Sequence, residues 1–170
     1  GYLAHDANSL ILNNELWNQL KYKKHDCVIN KIGYSLYTTE QLENLLKLKM
    51  IPDIVQVPYN LLDRKFEKYF PKLKDLGVEI HTRSTFLQGL FFFDLRFLPF
   101  QFDSIRNELT KLSQICEINR ISMTQLAINF VNYNKYIDKI ILGIDSSTQI
   151  EDCVKSLSLT KYNSIIDLEI

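Results

Sequence analysis

The sequence has no excess charge of either sign, because 20 lysine and arginine residues balance 20 aspartate and glutamate residues. A chain without net charge gives no support for electrostatic binding to nucleic acid or to an anionic membrane. It also lacks an apolar run that could cross a bilayer, since the most apolar stretch, residues 89–102, is short and contains Asp94, Arg96 and Pro99. We therefore expect neither nucleic acid nor a membrane as a partner.

Cysteine is scarce as well, with three residues at wide spacing: Cys27, Cys116 and Cys153. An odd number of distant cysteines predicts reduced thiols in a cytoplasmic protein rather than a disulfide framework or a zinc site. His25 and His81 have no second ligand at a metal-binding spacing, so we expect no metal ion. A Ser-His-Asp triad, a glycine-rich phosphate loop and a paired-carboxylate motif are also missing from the sequence.

What the chain does contain is a globular composition, with 46% hydrophobic and 24% charged residues in a length of 170. This length suits one domain, which we place over residues 1–170. The first residue is Gly1 rather than methionine, and no signal peptide precedes the first apolar segment. We expect that sequence is missing upstream.

Short apolar segments alternate with amphipathic ones along the chain, which predicts strands separated by helices. The predicted strands are residues 2–5, 31–35, 54–57, 78–84 and 139–144. The predicted helices cover residues 14–23, 61–76 and 104–117, and three more begin at the capping boxes of Thr38, Ser122 and Ser146. An aromatic-rich connection without a clear period covers residues 86–102.

Repeating βα units imply a parallel sheet with helices outside it. The pattern alone leaves two architectures open, a doubly wound sheet and part of a (β/α)8 barrel. A complete barrel usually needs about 250 residues, and this chain is well short of that length.

Five segments together resemble the aldo/keto reductase family. The clearest are residues 53–63 (DIVQVPYNLLD), 78–90 (VEIHTRSTFLQGL) and 141–151 (ILGIDSSTQIE). Residues 2–6 (YLAHD) and 31–35 (KIGYS) fit the same register. The segments follow the family's order and spacing over nearly the whole chain, and Ser35-Leu36-Tyr37 resembles a bacterial subgroup.

The resemblance implies an α/β fold, an incomplete (β/α)8 TIM barrel of about five C-terminal βα units with the N-terminal strands missing. The family reduces carbonyls by hydride transfer from NADPH, less often from NADH. Its tyrosine proton donor, and the aspartate and lysine that tune it, lie before the part that this chain resembles. Only the catalytic histidine is present, as His5, which could donate a hydrogen bond to a substrate carbonyl. A histidine bonded to a neighbouring loop is the structural alternative.

The resemblance also implies residues for the nicotinamide half of the cofactor. Ser35 and Gln56 would bind the carboxamide, although Leu36 stands where the family often has asparagine. Arg83 would stack on the nicotinamide in place of an aromatic residue, since a guanidinium plane also stacks on rings. Neither residue requires a ligand. Ser35 could form a strand-end turn, and Arg83 could form a surface salt bridge. The pyrophosphate would lie on the loop that contains Ser84, Phe86, Gln88 and Gly89.

The adenosine half would be bound after the last strand, by Gly143, Ser146, Gln149 and Asp152. Independently of the resemblance, a capped helix that starts just after a strand presents free N–H groups to an anion. An ordinary helix cap explains Ser146 and Gln149 equally well. No lysine or arginine occurs in residues 143–152, so the sequence leaves the choice between NADH and NADPH open. Cys153 stands where the family commonly has asparagine.

The aromatic residues Phe91, Phe92, Phe93 and Phe97 could line a substrate pocket, but core packing beneath a long loop is the more frequent use. Trp17 is predicted to pack its helix on the barrel. We expect a carbonyl reductase acting on a small molecule, with at most traces of activity in these residues alone. The alternatives are a non-catalytic nucleotide-binding or regulatory module, and a half-barrel that dimerises to cover its open strand edges.

Overall fold

The computed structural model describes residues 1–157, and they form one five-stranded parallel sheet with helices between the strands. The strands are β1 (Tyr2–Ala4), β2 (Ile32–Ser35), β3 (Ile54–Pro58), β4 (Glu79–Arg83) and β5 (Lys139–Ile140). Their spatial order is their chain order, and every neighbouring pair is parallel. A doubly wound sheet reverses its strand order at a switch point. The order seen here therefore excludes that alternative and is the order of a barrel.

Seven α-helices connect or follow the strands in the described residues. They are α1 (Ala7–Leu12), α2 (Asn14–His25), α3 (Thr39–Lys47), α4 (Phe70–Asp75), α5 (Arg106–Asn119), α6 (Met123–Asn132) and α7 (Ser147–Leu157). Shorter 3₁₀ segments cover Glu67–Tyr69, Leu87–Phe92, Leu95–Phe97 and Phe100–Ile105. None of the helices in this part of the chain is long and apolar enough to cross a membrane.

The chain divides into two compact units. The sheet unit consists of Gly1–Tyr59, Arg64–Arg83 and Lys135–Ile140, and it contains all five strands. The loop unit consists of Asn60–Asp63, Ser84–Asn134 and Ile141–Ile170, and its described part contains α5, α6 and α7. The boundary between Arg83 and Ser84 is the point where β4 ends.

The sheet unit is held together by apolar side chains on its central strands. All four residues of β2 are buried, and Tyr34 at its centre stacks on Trp17 of α2 with ring centroids 4.9 Å apart. The predicted packing of Trp17 is thereby confirmed, since only 3% of the residue is exposed. Gly33 allows β2 and β3 to approach, because a Cβ there would lie 1.9 Å from the carbonyl oxygen of Ile54.

Local capping signals predicted the helix starts well. Thr38 and Ser122 each accept a hydrogen bond from the backbone N–H three residues on, and Gln41 and Gln125 reach back to complete both boxes. Ser146 likewise accepts from the N–H of Gln149 at 3.2 Å. These interactions involve only neighbouring residues, so the sequence alone is sufficient to specify them.

Two element predictions were wrong, and one helix was not predicted. Residues 61–66 are not helical, because the Asn60 side chain accepts from the N–H groups of Leu62 and Asp63 at 2.9 and 3.0 Å and forms a turn that competes with the helix. The helix α4 begins at Phe70, with Pro71 in its first turn. The last strand ends at Ile140 rather than at residue 144, since it pairs with β4 over two residues only. Helix α1 was not predicted at all.

Candidate functional site

The carboxyl ends of β1, β2 and β4 bring three polar side chains together in the sheet unit. His5 follows β1, Tyr37 follows β2 and Arg83 ends β4. The Tyr37 hydroxyl and His5 Nε2 are 3.0 Å apart, and which of them donates depends on the histidine tautomer. The structure thus places the predicted catalytic histidine at a strand end, hydrogen bonded to a neighbouring loop. Sequence reasoning did not assign Tyr37 a role.

Arg83 packs its guanidinium on the face of the Tyr37 ring, with its central carbon 4.3 Å from the ring centroid. Its Nη2 donates to the carbonyl oxygen of Leu36 at 3.1 Å. A cation over an aromatic face is attracted by the ring quadrupole, and the hydrogen bond fixes the orientation of the plane. The arginine is therefore oriented by β2 and the loop that follows it.

Ser35 and Gln56 lie side by side, because they are register partners in the β2–β3 ladder. The Ser35 hydroxyl donates to Oε1 of Gln56 at 3.3 Å, and Ser35 is buried while Gln56 is half-buried. Both predicted carboxamide-binding residues are thus brought together. The bond between them holds the Gln56 amide oxygen and orients the amide group.

The loop unit contains a cavity of about 630 Å³. Its walls come from the segment after β4, from the segment between β5 and α7 and from α7 itself, with Thr124 of α6. Of the predicted pyrophosphate and adenosine residues, those that line it are Ser84, Phe86, Gln88, Gly89, Gly143, Gln149 and Asp152. The early end of β5 leaves Ile141 and the three residues after it outside the sheet, where they form part of the wall.

The segment after β4 has a strained backbone. Ser84, Leu87 and Gln88 have φ values of 62°, 48° and 55°, and Gly89 follows at 85°. Left-handed conformations cost about 1–2 kcal/mol in residues other than glycine. Such strain persists only where surrounding structure enforces it, and it is concentrated in ligand-binding segments. Asn60 enforces it here in part, since its amide donates to the Ser84 carbonyl at 3.0 Å.

Ser146 is the predicted adenosine residue that does not line the cavity. Its hydroxyl caps α7, and Gln149 Oε1 accepts from the N–H of Asp145 at 2.7 Å. Both side chains therefore perform the ordinary capping role that the sequence left open. The N-terminus of α7 still offers backbone N–H groups and a positive helix-dipole end beside the cavity.

Thr85 is a cavity residue that the sequence analysis missed. It is 2% exposed, and within the described residues its hydroxyl oxygen is buried without a hydrogen-bond partner. A buried hydroxyl that makes no bond costs about 1–3 kcal/mol. Its neighbours Ser84 and Phe86 were predicted from their place in a motif, but burial of a hydroxyl without a partner has no signal in a sequence.

The aromatic residues after the strained segment do not form the core that was predicted. Phe91 is buried, whereas Phe92, Phe93 and Phe97 are 52%, 45% and 74% exposed. The short 3₁₀ segments that contain Phe91, Phe92 and Phe97, and the extended residue Phe93 between them, turn the rings to different sides, so only one ring reaches the interior. Phe92 lines the cavity and packs against Phe86 with ring centroids 5.2 Å apart.

The cysteines are free thiols: Cys27 is exposed, Cys116 half-buried and Cys153 buried. Burial raises the pKa of Cys153, and the neighbouring charge of Asp152 raises it further. Burial likewise raises the pKa of Cys116. No group of three or more histidine, cysteine or acidic residues in residues 1–157 is arranged to hold a metal ion.

The model of the aldo/keto reductase family matches residues 2–165. The aldo-keto reductase AKR11C1 of Bacillus halodurans is similar in its apo form, with a TM-score of 0.70 and 22% identity over 86% of this chain and 52% of that one. Its holo form has a TM-score of 0.66 and 22% identity, over 82% and 48% of the two chains.

A third similar structure is the thermostable aldo-keto reductase Tm1743 in complex with the inhibitor epalrestat. It has a TM-score of 0.64 and 16% identity, over 89% of this chain and 52% of that one. A search of the curated proteins found no match. The chain spans about half the length of these solved structures, and its parallel strands fit an incomplete (β/α)8 barrel. The match over residues 2–165 shows that this chain belongs to the aldo/keto reductase family.

Proposed function

We propose that this chain is the cofactor-binding part of an NAD(P)H-dependent reductase that converts a small aldehyde or ketone to an alcohol. The observation that supports this most directly is the cavity of the loop unit. It combines a helix N-terminus, a buried Thr85 hydroxyl without a partner in residues 1–157, and open space at Gly89, where a Cβ would meet nothing within 4 Å. Anionic, polar ligands such as a pyrophosphate need these features.

Each unit, taken by itself, has residues whose chemistry suits one part of the cofactor. In the loop unit, Ser84, Thr85 and Gly89 would bind the pyrophosphate, and Gln149 with Asp152 would bind the adenosine half. In the sheet unit, Ser35 and Gln56 would present hydroxyl and amide groups to the carboxamide. Arg83, with one face on Tyr37, would offer its other face to the nicotinamide ring. The bound cofactor supplies the hydride.

His5 would orient and polarise the substrate carbonyl. Its Nε2 is bonded to the Tyr37 hydroxyl, so that hydroxyl holds the ring at the end of β1. A donor aimed at the carbonyl oxygen stabilises the negative charge that develops there. His5 must exchange the Tyr37 bond for the substrate, or the Tyr37 hydroxyl must itself contact the oxygen.

The family's tyrosine, aspartate and lysine have no counterpart in the five segments that carry the resemblance, so other barrel strands would have to supply them. Loss of a whole catalytic group lowers rates by orders of magnitude. We therefore expect residues 1–170 alone to bind the cofactor and to turn over at most traces of substrate. The three free thiols support a location in the cytoplasm.

The experiment is a titration of the purified protein with NADPH and NADH, followed by fluorescence, with turnover of a generic aldehyde measured in the same sample. We expect the unaltered protein to bind the nucleotide. The Thr85→Val variant should bind it about fivefold more weakly, because one hydrogen bond contributes about 1 kcal/mol. The matched control is Thr110→Val, since the Thr110 hydroxyl bonds the Arg106 carbonyl and does not line the cavity. Absence of binding to both nucleotides would refute the proposal.

The second candidate is a nucleotide-binding module without chemistry. It is favoured by the hydrogen bond that already occupies His5 Nε2. The same experiment, carried out on the full-length encoded protein, distinguishes the two functions. Binding with turnover indicates a reductase, and binding without turnover indicates the module.

A further inference from the structure

Among the described residues, the wall of the loop-unit cavity contains acidic side chains and no basic ones. Asp145 and Asp152 are its charged residues there, and no lysine, arginine or histidine of residues 1–157 lines it. Both residues are exposed to solvent: Asp145 lies two residues before α7, and Asp152 lies in its second turn. Asp152 is next to Cys153 of the same wall; burial raises the pKa of that thiol, and the Asp152 charge raises it further.

The basic residue of α7 lies elsewhere. Lys155 is one turn beyond the cavity and forms an ion pair with Glu151, with Nζ and Oε2 3.6 Å apart. Neither residue is part of the wall. The helix therefore has its cation paired away from the cavity, whereas Asp152 in the wall forms no ion pair within residues 1–157.

The two nicotinamide cofactors differ only at the adenosine ribose, where NADPH has a 2′-phosphate and NADH a free hydroxyl. A phosphate dianion beside carboxylates, with no cation to offset them, is repelled and loses its hydration. A ribose diol, in contrast, donates hydrogen bonds to a carboxylate, which is the usual means of recognising the 2′-hydroxyl, whereas an arginine accommodates the 2′-phosphate. The wall chemistry therefore discriminates between the two cofactors.

We propose that this protein selects NADH over NADPH, and that Asp145 and Asp152 exclude the 2′-phosphate. The inference rests on the proposed function, because it assumes that the adenosine end of the cofactor enters this cavity. It goes beyond that function in naming one cofactor and the residues that select it.

The test is a comparison of dissociation constants for NADH and NADPH, measured by fluorescence at low and at high salt. We expect NADPH to bind at least tenfold more weakly at low salt, with the ratio reduced at high salt as the repulsion is screened. The readout is binding alone and does not require turnover. Equal affinities, or tighter binding of NADPH, would overturn the inference while leaving the proposed function intact.

Two variants locate the effect. Asp152→Lys should reduce or reverse the preference, because it replaces a repulsive charge with an attractive one. Glu151→Lys adds the same charge on the neighbouring residue, outside the wall, and should leave the ratio within about twofold. Equal effects of the two would show a general charge effect and refute the assignment to Asp152. If neither nucleotide binds the unaltered protein, the proposed function fails and the inference with it.

Discussion

Replacing Gly33 by alanine should separate β2 from β3. The added Cβ would lie 1.9 Å from the Ile54 carbonyl oxygen, 2.8 Å from its carbonyl carbon and 2.8 Å from a methyl group of Leu3. The first two atoms belong to a neighbouring strand's backbone and cannot rotate away. Real Cβ contacts are essentially never shorter than 3.0 Å, so the strands must part by about 1 Å.

The cost can be worked from what that displacement breaks. Overpacking a well-filled interior costs about 1–3 kcal/mol, and a clash with backbone belongs at the upper end. The strands are also joined by bonds such as Leu36 N–H to the Gln56 carbonyl at 2.8 Å, each contributing about 1 kcal/mol. A loss of about 3 kcal/mol is a large part of a typical folding free energy and lowers Tm by about 6–12 °C in a protein of this size.

Thermal and urea unfolding, followed by far-ultraviolet circular dichroism, measure this loss. The matched control is Gly143→Ala, because a Cβ at Gly143 meets nothing within 4 Å. The control should unfold within about 1 °C of the unaltered protein. If Gly33→Ala unfolded with the control, β2 and β3 would not be paired as described, and the register of the sheet would be wrong.

Three further predictions concern other positions. Tyr34→Phe should stabilise the protein by about 1 kcal/mol in urea unfolding, because the Tyr34 hydroxyl is fully buried without a partner in the described residues. A less stable variant would show that the hydroxyl is hydrogen bonded. Gly89→Ala should cost about 1 kcal/mol from its φ of 85°, although a Cβ has room there, and an unchanged urea midpoint would contradict the left-handed backbone. Burial alone raises the pKa of Asp138, but hydrogen bonds from Lys74 and the Ile80 N–H outweigh it and leave that pKa below its ordinary 3.8. The stability that Asp138 contributes is therefore complete above about pH 4 and is lost as the pH falls through the lowered pKa. In Asp138→Asn, the free energy of unfolding should therefore depend less on pH in that range. An unchanged pH dependence would refute this role.

Features that depend on residues near each other in the sequence were predicted, whereas features that depend on contacts between distant residues were not. Capping at Thr38 and Ser122 depends on residues three apart, and both helix starts were predicted. The turn at Asn60 also uses neighbouring residues, but its amide is held by the Ser84 carbonyl, a contact between residues 24 positions apart. A periodic apolar pattern contains no trace of such a contact, so a helix was predicted over a turn.

The same reasoning applies to the candidate site. Ser35 and Gln56 lie in strands whose pairing follows from the resemblance, and they are neighbours in the sheet as expected. Tyr37 was missed because its importance comes from contacts with His5 and Arg83, which are 32 and 46 positions away along the chain. Thr85 was missed because a buried polar atom without a partner is a property of the folded chain alone.

The stack of Trp17 on Tyr34 provides an intrinsic fluorescent probe of unfolding. Trp17 is the sole tryptophan of the sequence, and it lies in the sheet unit. Long-wavelength excitation therefore selects one indole, whose emission follows its release from the Tyr34 ring into water. Far-ultraviolet ellipticity, in contrast, also registers α5, α6 and α7 of the loop unit. Coincident transitions from the two signals would mark a single cooperative event, and displaced ones would show that the strands and the cavity-bearing helices melt in separate steps.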